Sequence, residues 1–73
     1  MSAAYKINVL RAARAELAEA RAAMIAAGAR CYDMHGEDIG DAADFRDWAA
    51  TSSAFCAMNA RFEEILEYAC SRD

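Results

Sequence analysis

The chain has 73 residues, no proline, and 8 Lys and Arg against 12 Asp and Glu, for a formal charge of −4. Of the residues counted as apolar, which make up 58% of the chain, 20 are Ala. Few large side chains remain to build a core, and a domain this short draws only ~3–5 kcal/mol from one. The apolar share excludes disorder, and no run approaches the ~20 apolar residues that cross a bilayer. Charges interrupt the N-terminal stretch before any signal-like apolar segment can form, so the chain reads as soluble and cytoplasmic, with residues 1–73 as one domain.

From Ala3 to about Met34 the composition is dominated by Ala, Leu, Arg, Glu and Met, the strongest helix formers. A first helix is predicted over about residues 3–34, with Ser2 as its N-cap. Gly28 interrupts this stretch, and a kink there, giving three shorter helices in all, is the alternative architecture.

Between Asp33 and Asp41 the sequence changes to Asp-Met-His-Gly-Glu-Asp-Ile-Gly-Asp. Two glycines among clustered Asp supply the conformations of a chain reversal, so an acidic turn is predicted over about residues 35–41. Gly36 suits the left-handed position just past the first helix, and Gly40 or Asp41 suits the N-cap of the next. A second helix is then predicted over about residues 42–71, with Asp41, Asp44 and Asp47 near its positive end.

Both helical stretches carry a seven-residue apolar repeat. In the first it runs Ala3, Leu10, Leu17, Met24 and Cys31, with Ala13, Ala20 and Ala27 interleaved; in the second it runs Trp48, Phe55, Phe62 and Ala69, with Met58 and Ile65 interleaved. Folding back at residue 37 or 38 sets Ala13 against Phe62, Ala20 against Phe55 and Ala27 against Trp48, so small side chains meet large ones. The expected fold is therefore all-α, a long antiparallel two-helix hairpin. Ile7, Val9, Ile25, Phe45, Leu66, Tyr5, Tyr32 and Tyr68 fall on or outside the flanks of this seam. Their cover is expected from a second copy, giving a homodimeric four-helix bundle.

The three cysteines, Cys31, Cys56 and Cys70, form no Cys-x-x-Cys pair, and the register sets no two of them opposite each other. They are expected as reduced thiols. Cys31 and His35, four residues apart among carboxylates, form a weak zinc or copper candidate if the helix reaches that far. A nucleophile drawn from Cys31, or from Thr51, Ser52 and Ser53, would need a base and an oxyanion site in a pocket. The hairpin seam offers none, so the chain is read as a non-enzyme with no cofactor and no metal.

Charge is distributed unevenly, at +3 over residues 1–30, −3 over 31–40 and −4 over 41–73. Basic and acidic helices are expected to pair across the hairpin, Arg11 with Glu64 and Arg30 with Asp44 or Asp47, which selects orientation more than it stabilises. Lys6, Arg11, Arg14 and Arg21 on the basic helix supply an alternative, a phosphate-binding face. In architecture the expected bundle resembles the Rop family of plasmid copy-number proteins, dimeric helical hairpins that grip paired RNA loops. The likeness is one of shape, with no shared motif, and it implies nucleic acid as the alternative partner.

Six carboxylates lie within fifteen residues at the tip: Asp33, Glu37, Asp38, Asp41, Asp44 and Asp47. Such a tip steers a protein towards a basic surface. Ile39, Phe45 and Trp48 beside Asp38, Asp41, Asp44 and Asp47 supply apolar anchors for a protein partner. The sequence thus favours a small interaction module, an inhibitor, antagonist or adaptor that binds a larger protein. Small acidic helical proteins of this kind are common among phage and mobile-element products that block host defence or regulatory machines.

Overall fold

The computed structural model describes residues 3–70. Two helices, α1 (Ala3–Cys31) and α2 (Ala42–Ala69), run antiparallel and pack along their length; the described residues hold no β-strand beyond one isolated bridge between Tyr32 and Asp38. No helix among these residues is long and apolar enough to cross a membrane. The expected N-cap Ser2 and the expected end of the second helix at residue 71 lie outside the described residues.

The first helix stops three residues earlier than its composition predicts, because the backbone finds other partners. The Cys31 carbonyl accepts the N–H groups of Ile39 and Gly40 at 2.9 and 3.4 Å instead of continuing the helical ladder. Asp33 competes locally in the way short acidic side chains do, its Oδ1 taking the N–H of His35 at 2.8 Å and of Glu37 at 2.9 Å. Gly36 does hold a left-handed backbone, with φ of 79°, but in the turn whose N–H closes on the Asp33 carbonyl, not beside the helix end. The chain reverses as a compact hydrogen-bonded loop.

α2 begins with a reciprocal cap. The Asp41 carboxylate accepts the Asp44 N–H at 2.9 Å, and the Asp44 carboxylate accepts the Asp41 N–H at 3.1 Å. Two of the four orphan donors of the helix start are thereby satisfied. At the other end Cys70 closes the last turn through its N–H to the Leu66 carbonyl at 2.9 Å.

α1 passes through Gly28 without a break, so the three-helix alternative is not adopted. The glycine serves packing instead: a Cβ there would stand 3.1 Å from the indole nitrogen of Trp48, which lies against the bare backbone. Arg30 reaches across to both carboxylates proposed for it, Asp44 at 3.9 Å and Asp47 in a close pair, as the fold-back near residue 37 or 38 requires. Among the described residues both ion pairs belong to Arg30; Arg11 and Glu64 form none.

The hairpin buries little. Among the described residues Ala13, Ala27 and Cys31 are buried, all on the predicted seam and all small, whereas Leu17, Met24, Trp48, Phe55, Phe62 and Ile65 stay half-exposed; Ala3, at the open end, is exposed. A globular monomer of 8.0 kDa exposes about 4,450 Å² and has a radius of gyration of about 11 Å, but this chain exposes 5504 Å² with a radius of 16.2 Å. A rod measuring 50 × 18 × 14 Å has no interior deep enough to cover its larger side chains.

Candidate functional site

Two surfaces hold the residues singled out from the sequence. The first is the loop at residues 32–41. Its base is an aromatic cluster in which the Tyr32 ring meets Phe45 and Trp48 edge-on, with centroids 5.5 and 5.4 Å apart. Tyr32 is predicted by the heptad pattern on or outside an open flank of the seam. It turns inward because the helix has ended one residue earlier, and its backbone bridge to Asp38 holds it over the start of α2. Phe45 and Trp48 are thus half-buried within the hairpin, while Ile39 stands out with 58% of its surface exposed.

The acidic residues divide by task. Asp33 holds the turn, Asp41 and Asp44 form the helix cap, and Asp44 and Asp47 pair with Arg30. Glu37 and Asp38 are exposed without an ion pair. Beside them Met34 is 91% exposed, the most open of the large apolar side chains described. Composition predicts Met34 in the last turn of the first helix. The Asp33 side chain was the available signal against that reading, since Asp two residues before a His-Gly pair favours an Asx-type turn.

Cys31 and His35 do not share a helix face. Cys31 is fully buried at the end of α1, and His35 is exposed in the loop. Burial pushes the Cys31 thiol up from its ordinary value, with the Asp44 carboxylate adding to the effect and Arg30 opposing it. A thiol so placed resists becoming the thiolate that a metal or a nucleophilic reaction needs. No group of three or more His, Cys, Asp or Glu among the described residues has a geometry suited to a metal. The Thr51 hydroxyl is engaged by its own helix, donating to the carbonyls of Asp47 and Trp48 at 2.9 and 3.0 Å. Cys31, Cys56 and Cys70 are all free thiols.

The chain matches no known protein family, curated protein or solved structure.

The second surface is a groove along one side of the hairpin, between the two helices. One section, of about 460 Å³, is lined by Leu17, Ile25 and Phe55, and the next, of about 220 Å³, by Ile7, Leu10 and Phe62. Arg14 borders both sections, Arg21 the first and Arg11 the second, with no carboxylate among the lining residues. Seven-residue spacing along a helix places Arg14 and Arg21 about 10 Å apart on one face. Lys6, the fourth member of the proposed basic face, points elsewhere and lies 5.7 Å from the centre of the Tyr68 ring.

Proposed function

We propose that this chain is a non-enzymatic interaction module, an inhibitor or adaptor, that self-associates through its helices into a four-helix bundle and binds a larger protein through its loop. One observation carries the reading. A loop closed by its own hydrogen bonds presents Met34 and Ile39 to solvent beside the unpaired carboxylates of Glu37 and Asp38. A preorganised loop loses little conformational entropy on docking, two apolar anchors supply area, and two acids select a basic partner surface. Asp41, Asp44 and Asp47, included in the tip on sequence grounds, support it from below.

The test follows that division of labour. Tagged protein is used to capture partners from the native host lysate, with half the sample nuclease-treated, beside a Met34→Asp, Glu37→Lys, Asp38→Lys variant that leaves the helix cap untouched. A stoichiometric protein that survives nuclease and is lost by the variant, at unchanged helicity, supports the reading. Equal capture by the variant overturns it.

A second reading, nucleic-acid binding, draws on the row of Arg11, Arg14 and Arg21 along the groove. It requires capture that nuclease abolishes and affinity that falls steeply with salt.

A further inference from the structure

The hairpin exposes 5504 Å², about 1,050 Å² more than a globular monomer of its mass, and a standard protein interface buries about 800 Å² per partner. The excess is the size of one such face. Its apolar floor comes from both helices, with Leu10, Leu17 and Ile25 from α1 and Phe55 and Phe62 from α2.

Charge then decides how a second copy can lie there. Two hairpins stacked face to face with their loops at opposite ends set α1 against α1, so that Arg11, Arg14 and Arg21 of one copy meet the same stretch of the other. Like charges directly opposed are unfavourable. With both loops at the same end, α1 lies over α2 of the other copy in antiparallel register. That arrangement brings Arg14 to the level of Phe62 and Glu63, because Arg14 and Phe62 already line one section of groove within a single hairpin. Glu63 follows Asn59, a groove residue, by four positions and so stands on the α2 rim. Arg14 then meets Glu63 twice, once in each half of the symmetric dimer.

We infer that the groove is the seat of a second copy of this chain, paired in the orientation that puts both loops at the same end of the bundle. The inference rests on the self-association in the proposed function and adds to it a face, an orientation and a consequence. Two copies of the Met34 and Ile39 loop stand side by side, a bivalent tip.

The test measures the distance between tips. Cys56 and Cys70, both exposed, are replaced by Ser, and Glu37→Cys takes a spin label, since buried Cys31 is protected. The association state is established first by sedimentation. A dimer whose labels lie about 20 Å apart, roughly two helix diameters, supports the inference. A dimer with labels 50 Å or more apart, the length of the hairpin, overturns this orientation while leaving self-association standing. A monomer at tens of micromolar overturns both, and gives the groove to an acidic helix of another protein. As a second measurement, Arg14→Glu raises the dimer dissociation constant at least tenfold, and adding Glu63→Arg restores most of it; no restoration refutes the paired rims.

Discussion

Replacing Gly40 by alanine is expected to loosen the loop from both helices at once. Gly40 does not have a positive φ, so backbone preference is not the obstacle. A Cβ at Gly40 would stand 2.8 Å from the Arg30 carbonyl oxygen, 2.9 Å from the Asp44 Cβ and 3.1 Å from the Cys31 Cα, where ordinary contact begins at 3.4 Å. Two of these atoms are backbone at the end of α1 and the third belongs to the cap of α2, so no flexible side chain can move aside. The loop itself must shift by about half an ångström, which breaks the Gly40 N–H bond to the Cys31 carbonyl, already 3.4 Å long. Overpacking of this kind costs ~1–3 kcal/mol. The reduced freedom of the unfolded chain returns ~0.4–1 kcal/mol, for a net loss of about 1–2 kcal/mol. At ~4–8 °C per kcal/mol for a domain of this size, the Tm should fall by about 5–15 °C. Thermal melts followed by far-UV circular dichroism would measure it, at one protein concentration because any self-association would stabilise by mass action. Gly36 is the internal control. Nothing lies within 4 Å of its Cβ position and its φ is 79°, so Gly36→Asn should be tolerated where Gly40→Asn is not. A Gly40→Ala protein melting at or above the parent temperature would refute this account of the loop.

Trp48→Ala should cost about 2–3 kcal/mol, less than the ~3–5 kcal/mol of a fully buried aromatic because Trp48 is half-exposed. Urea denaturation would detect it, and a loss under about 0.5 kcal/mol would contradict the Tyr32, Phe45 and Trp48 cluster. Arg30→Met should cost no more than ~1 kcal/mol, and the cost should vanish in high salt, because its pairs with Asp44 and Asp47 join side chains that are a third to a half exposed. A large, salt-independent loss would show that Arg30 acts through packing. Cys31, held protonated above its ordinary value of 9.0 by burial, keeps a proton that the unfolded chain sheds first. Its contribution is therefore complete below about pH 9 and declines as pH rises further. In the native protein Cys56 and Cys70 should alkylate while Cys31 reacts only on unfolding, and Cys31→Ala should flatten the alkaline loss; rapid native modification of Cys31 would refute its burial.

The helical hairpin and its seam were legible in the sequence because both follow from local periodicity. Apolar residues every seven positions define one stripe per helix, and the small Ala13 and Ala27 on that stripe are the ones that become buried. The start of α2 was equally local, since Asp41 and Asp44 stand three apart where a cap demands. The register could be read from the turn's position, and the two pairs of Arg30 agree with it.

Tertiary structure decided what local pattern left open. Helix-forming residues extend to Met34, yet α1 stops at Cys31, because the Cys31 carbonyl is claimed by Ile39 and Gly40 once the chain has turned back. That early stop separates Cys31 from His35, swings Tyr32 onto Phe45 and Trp48, and leaves Met34 in solvent. Of six equivalent-looking carboxylates, four hold the fold and two, Glu37 and Asp38, are left exposed without an ion pair. Composition records how many acids a tip contains. Asp33, Asp41 and Asp44 take backbone N–H groups two to four residues away, whereas Asp47 depends on Arg30, close in space and distant in sequence.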